Sequence, residues 1–163
     1  MTSGDILEQP ADVLICSANV FLNLSGGVGG AILLKTGSGM QEELHANLRN
    51  TGRKHMSQGD IVVTASHGLP FKAVIHAVSI DGFYQSSPLV ISTITQQALR
   101  QAALMNARTA MMAALATGYG RLPMNQFAGG IRPLLKTEFP PVESVTICVK
   151  NEGDRDELQA SFF

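Results

Sequence analysis

Residues Ser25 to Gly37 read SGGVGGAILLKTG, with four glycines in the first six positions, running straight into an aliphatic stretch. A second glycine-containing stretch, ATGYGRLP, occupies 116–123. Glycine loses more conformational freedom on folding than any other residue, so a cluster marks sharp bending or close backbone approach. The chemistry open to such loops is anion binding, because free N–H groups at the start of a helix, together with the helix dipole, favour a phosphate. Two such loops could hold a diphosphate between them. The first is not a Walker motif, since Lys35 comes five residues after Gly30, and GxGxxG is absent from 25–37. From the residues alone, a phosphate-bearing ligand and a merely structural glycine loop both remain open.

Other reactive side chains carry less. Cys16 and Cys148 sit inside apolar runs, LICSA and TICV, where a reduced thiol behaves as a small hydrophobe. Neither is part of a CxxC pair, and His45, His55 and His67 lack metal-ligand spacing to one another or to the cysteines, so no metal or cofactor is expected. His76, within AVIHAVS, reads as a structural strand residue ahead of a ligand or base. Phe83 and Tyr84 follow Asp81 and Gly82 in a loop that either overhangs a ligand or caps the core.

The elements that must position these loops alternate. Val13 to Cys16, Ile61 to Ala65, Ala73 to Val78, Thr109 to Leu115 and Val145 to Val149 are short apolar runs of the strand type. Helical stretches are expected over Ala31 to Arg49 with an interruption at TGSG, Pro88 to Asn106, Met124 to Lys136, and Arg155 to Phe163 with Asp154 as N-cap. Only SHGLPFK separates IVVTA from AVIHAV, which is too short for a helical crossover and predicts an antiparallel hairpin. The fold class that follows is α/β, with helices covering both faces of a mixed sheet. Ligands in open α/β sheets bind beyond the carboxyl ends of the parallel strands, and both glycine loops follow predicted strands.

A chain of 163 residues fits one domain, 1–163, and 45% hydrophobic with 15% charged residues describes a globular protein. Twelve basic against thirteen acidic side chains give a net charge of -1, so nothing sequence-wide attracts nucleic acid or an anionic membrane. No apolar stretch of about 18 residues points to a membrane span. The first residues lack the basic start and apolar centre of a signal peptide, so a cytoplasmic location is the expectation.

Taken in order, GDI at 4–6, ADVLICSANVFLNLSGGVGGAI at 11–32, GDIVVTAS at 59–66, AVIHAVS at 73–79 and ALATGYGRLP at 114–123 resemble the macrodomain family. The resemblance runs from Gly4 to the last strand. It implies a three-layer α/β/α sandwich with a central sheet of five or six strands, binding ADP-ribose or a derivative, free or on a modified protein. Asp5, with Ile6 beside it, would accept from the adenine amino group; a helix or turn cap is the alternative for Asp5. Asn19 would hold the distal ribose, unless it only forms a turn. Gly26, Gly27, Val28 and Gly29 would meet the distal ribose and diphosphate through backbone N–H groups, and Ala116, Thr117, Gly118 and Tyr119 would close from the other side.

The departures bear on activity. Cys16 stands for the family's first Asn and Ser25 for a frequent Gly. Gly29 stands where hydrolases of this family carry an Asp that helps place the attacking water. Hydrolysis of ADP-ribosylated protein, O-acetyl-ADP-ribose or ADP-ribose 1″-phosphate is therefore the alternative activity, slow or absent, with Asn19 or a residue of Phe83 to Ser87 as candidate. Lys150 or Asn151 replaces the usual adenine-stacking ring, which leaves open an aliphatic stem under the base or a different phosphate-bearing ligand. With three residues ahead of GDI, the usual first strand is expected to be missing.

Overall fold

The structure, a computed structural model, describes residues 1–163. The strands are β1 (Thr2–Ser3), β2 (Val13–Ala18), β3 (Ile61–Ala65), β4 (Ala73–Val78), β5 (Thr109–Ala113) and β6 (Ser144–Val149). The helices are α1 (Gly27–Thr36), α2 (Gly39–Asn50), α3 (Pro88–Leu104), α4 (Met124–Ile131) and α5 (Glu152–Phe162), with 3-10 turns at Ile6–Glu8 and Arg132–Leu134. One sheet holds all six strands in the order β1-β6-β5-β2-β4-β3. Every neighbouring pair is parallel except β3–β4, the hairpin expected from SHGLPFK. No helix is long and apolar enough to cross a membrane.

Alternation along β2 builds the three layers. Successive strand side chains point to opposite faces, so Val13 and Ile15 join Ile91 and Ile94 of α3, Phe127 of α4 and Leu158 of α5 in one core. Leu14 and Cys16 join Ile32 of α1 with Met40 and Leu44 of α2 in the other. β2 is held between its neighbours from its first turn onward. Asp12 Oδ2 accepts from the N–H of Arg108 at 2.7 Å and of Thr109 at 3.2 Å, while Oδ1 lies 2.9 Å from Lys72 Nζ. The Lys72 contact, followed by the Arg108 N–H, holds the Asp12 carboxyl below its ordinary range. This clamp ties the strand starts together, so that the loops leaving β2 and β5 emerge side by side.

Several sequence expectations change, among them the start of the first helix, which lies at Gly27 where Ala31 was expected. The residues before GDI do form a strand: β1 is two residues long and pairs with Cys148 and Val149, because the open edge of β6 offers its backbone groups to whatever chain lies beside it. Helix α5 starts three residues earlier than expected, capped by Asn151, whose Oδ1 accepts from Asp154 N–H at 2.9 Å; Asp154 is the third helical residue, not the cap. Helix α4 stops at Ile131 and gives way to the 3-10 turn, since Pro133 has no N–H to continue the α-helical ladder. The expected break at TGSG is present, with Gly37 at φ 62° between α1 and α2.

Candidate functional site

Chain order reverses across β2: the next parallel strand, β4, lies on one side and β5 on the other. A crevice opens beyond the strand ends at such a switch point. The loop leaving β2 enters α1 through Gly26 and Gly27, both left-handed at φ 50° and 48°. No side chain caps α1. Its first backbone hydrogen bond runs from Gly30 N–H to Gly26 O at 2.7 Å, so the N–H groups of Gly27, Val28 and Gly29 have no acceptor within the helix. A Cβ on Gly26 would also run into the ring of Tyr119.

That ring arrives from the loop after β5. Ala116, at φ 65°, donates its N–H to Ser17 Oγ at 2.9 Å, and Ser79 Oγ donates to the same Ser17 oxygen at 3.1 Å. Ser17 thus ties together the chain leaving β2, β4 and β5. Thr117 turns back on Ala114 O through its hydroxyl, and Leu122 N–H returns to Ala116 O. Between these bonds the N–H groups of Gly118, Tyr119 and Gly120 are left without a protein acceptor. Two sets of unengaged donors therefore flank one cleft of about 1090 Å³.

The cleft is lined by Asn19, by Gly26, Gly27, Val28 and Gly29, and by Ala116, Thr117, Gly118 and Tyr119. Asp5 and Ile6 are not among its lining residues. Ile6 is buried, and Asp5 caps the first 3-10 turn by accepting from Leu7 N–H at 2.9 Å, with its other oxygen 3.5 Å from Lys35 Nζ. Asn19 works within its own loop: Oδ1 accepts from Phe21 and Asn23 N–H, and Nδ2 donates to Asn23 O. Phe83 and Tyr84 overhang the mouth, 84% and 54% exposed, and the Tyr84 ring lies 6.4 Å from that of Tyr119.

Sequence reasoning missed Ser17, Ser79 and Asp154. The first two were legible only as small polar residues at strand ends. Asp154 lines the cleft at the β6 end with Cys148, Val149 and Lys150. His76 also reaches the cleft from β4 yet is almost wholly buried. Its Nε2 pairs with Thr64 Oγ1 at 3.0 Å and its Nδ1 with Cys16 Sγ at 3.7 Å. A neutral ring satisfies both, taking the thiol hydrogen on one nitrogen and donating from the other. Burial pushes His76 down to about 4, against a smaller upward pull from the Glu43 carboxylate. Burial also pushes the Cys16 thiol up to about 12, so this sulfur is not a ready nucleophile. The other histidines have separate partners: His45 with Asn23, His55 with Met56 O and His67 with Glu43.

The chain belongs to the Macro domain family, whose sequence model matches residues 15–129. A Macro domain-containing protein of Streptomyces nogalater is 31% identical over 146 residues, which is 89% of this chain and 81% of that protein. A Pyrobaculum aerophilum protein is 44% identical over 75 residues, 46% of this chain and 40% of its own length. Relatives therefore differ in how much of them this chain spans. Among solved structures, an Oceanobacillus iheyensis macrodomain mutant with ADPR has a TM-score of 0.87 at 21% identity, covering 98% of this chain and 89% of that one. A Trypanosoma brucei macrodomain in complex with ADP-ribose has a TM-score of 0.81 at 19% identity, covering 98% and 66%. At such identities the structural likeness establishes the α/β/α fold.

Proposed function

We propose that this chain binds ADP-ribose, or a close derivative of it, in the cleft above β2 and β5. The observation that carries the proposal is the opposed pair of donor sets, Gly27 to Gly29 on one wall and Gly118 to Gly120 on the other, with no side-chain carboxylate between them. Such a geometry suits a diphosphate, whose oxygens accept from backbone N–H groups at a helix start. The macrodomain structures solved with ADPR and with ADP-ribose support the choice of nucleotide. ADP-ribose carried on a protein fits the same reading, since the mouth is open beside Phe83 and Tyr84.

Binding, ahead of turnover, is the activity proposed. Gly29 supplies no carboxylate to the glycine loop, and Asn19 Oδ1 already accepts two N–H groups. General-base help is worth roughly 10²–10⁴-fold, so any hydrolysis here rests on positioning and is slow. Calorimetric titration with ADP-ribose, with ADP as the control lacking the distal ribose, tests the proposal. Micromolar or tighter binding of ADP-ribose and distinctly weaker binding of ADP is the expected result. Absence of binding, or a preference for coenzyme A or NAD, would overturn it.

A further inference from the structure

A second cavity, of about 890 Å³, lies on the α3 face of the sheet, under the chain that joins the second 3-10 turn to β6. It shares no lining residue with the glycine-loop cleft. Leu99 of α3, Met112 of β5 and Ile147 of β6 form a buried apolar floor, and Leu135 and Val145, 64% and 38% exposed, stand at the mouth. One polar side chain is buried with that floor. Thr95 of α3, 2% exposed, lines the cavity, and its hydroxyl oxygen has no hydrogen-bond partner. A helical threonine can bond the carbonyl four residues back, as Thr93 does with Leu89 O and Thr36 with Ile32 O, both at 2.9 Å. Thr95 makes no such bond, and a buried hydroxyl left unpaired is costly.

The charges around the cavity limit what it can take. Arg108, Glu138 and Glu143 are its ionised residues, and Arg108 Nε donates to Glu143 Oε1 at 2.9 Å. One cation against two anions leaves the lining net negative, which disfavours a phosphate or a carboxylate. We propose that this cavity is a second binding site, for an uncharged and mainly hydrocarbon molecule that carries one hydroxyl at its buried end. That hydroxyl pairs with Thr95 Oγ1, which can both donate and accept, and the hydrocarbon runs along Leu99, Met112 and Ile147 toward the mouth. A concave, mostly apolar cavity with few fixed polar groups is the usual form of a small-molecule site. The proposal is independent of ADP-ribose binding and uses none of the residues assigned to it.

Straight-chain alcohols are the probes, read by amide chemical-shift titration of the isotopically labelled protein. 1-Octanol is expected to shift Thr95, Leu99 and Val145 saturably, with millimolar or tighter affinity. 1-Hexanol binds more weakly by about fourfold per methylene removed, and octanoate at least about tenfold more weakly than 1-octanol. Thr95→Val keeps the shape and removes the hydroxyl; it weakens 1-octanol about fivefold and raises the melting temperature of the free protein, because an unpaired hydroxyl leaves the interior. Val145→Trp fills the mouth, abolishing 1-octanol binding while calorimetry with ADP-ribose matches the wild type. Absence of a saturable shift, equal affinity for octanoate, or shifts at Gly26 to Gly29 that ADP-ribose displaces would overturn the proposal. Unchanged 1-octanol affinity or a lower melting temperature in Thr95→Val would overturn it as well, the latter by showing that hydroxyl already bonded within the protein. A concentration-dependent dimer in sedimentation, with signals of 134–145 broadened, would make this face a contact between copies of the chain instead.

Discussion

The centre of the cleft and its β6 end are made of different materials. At the centre, Gly26 to Gly29 and Gly118 to Gly120 offer backbone N–H groups, and side-chain identity matters only through size and φ. At the β6 end, Val149, Lys150 and Asp154 offer side chains on a strand end and a helix start. Backbone donors cannot be changed in kind by substitution, only blocked or displaced. Side chains can be exchanged singly while the fold persists. On the proposed reading, the donors at the centre persist under single substitutions, whereas exchanges at the β6 end, where Lys150 and Asn151 depart from the family pattern, alter what the cleft accepts beside a diphosphate.

The most disruptive test of this contrast is Gly27→Val. Gly27 is at φ 48°, where a β-branched residue is strained by about 1–3 kcal/mol, and its Cβ would enter open space beside the free donors. We expect ADP-ribose affinity to fall more than about 100-fold, since the backbone donors set the site; calorimetry and a thermal melt separate that loss from unfolding. Retained affinity would remove the loop from the site.

The buried His76 of β4, which belongs to neither end, is tested by pH. His76 has a folded value of about 4, below its ordinary 6.5, so the unfolded chain binds the extra proton over that interval. Stability conferred by the neutral ring is full above about 6.5 and is lost as pH falls toward 4, at up to about 1 kcal/mol per pH unit. His76→Gln is expected to flatten the dependence of the unfolding midpoint on pH across that window. An equal slope in both proteins would assign the acid sensitivity elsewhere.

Ser17→Ala sharpens the contrast from the side-chain direction. It removes the acceptor of Ala116 N–H and of the Ser79 hydroxyl, for a cost of about 1 kcal/mol. A several-fold weaker ADP-ribose affinity with an intact fold is the expected outcome, because the second loop loses its anchor while its donors remain. The smallest effect belongs to Lys35→Ala, which deletes ion pairs to Asp5 and Glu8 between partly exposed side chains. Such pairs contribute at most about 1 kcal/mol, so affinity should change less than about threefold. A larger loss would bring Asp5 into the site.

Most of the sheet was legible because burial on both faces leaves continuous apolar runs, as in VLIC and AVIHAV. The hairpin followed from the length of SHGLPFK, and the break between α1 and α2 from TGSG. What escaped was decided by neighbours. Two residues, Thr2 and Ser3, carry no strand signal of their own and pair only because β6 offers an edge. Asp154 was the cap expected from the sequence; the backbone entering α5 gives that place to Asn151. At the site, the glycines announced close approach, but nothing local announced that Tyr119 would lie over Gly26.

The sequence by itself determined the family, the alternation of strands and helices, and two glycine loops following strands, because these depend on residue order and on short-range propensity. Tertiary structure decided which side chains share the cleft. Ser17, Ser79 and Ala116 meet across up to 99 residues of chain, and Asp154 reaches the cleft wall that Asp5 does not. Those outcomes depend on strand order and on the competition of each polar group for partners, neither of which is written in any single stretch of residues.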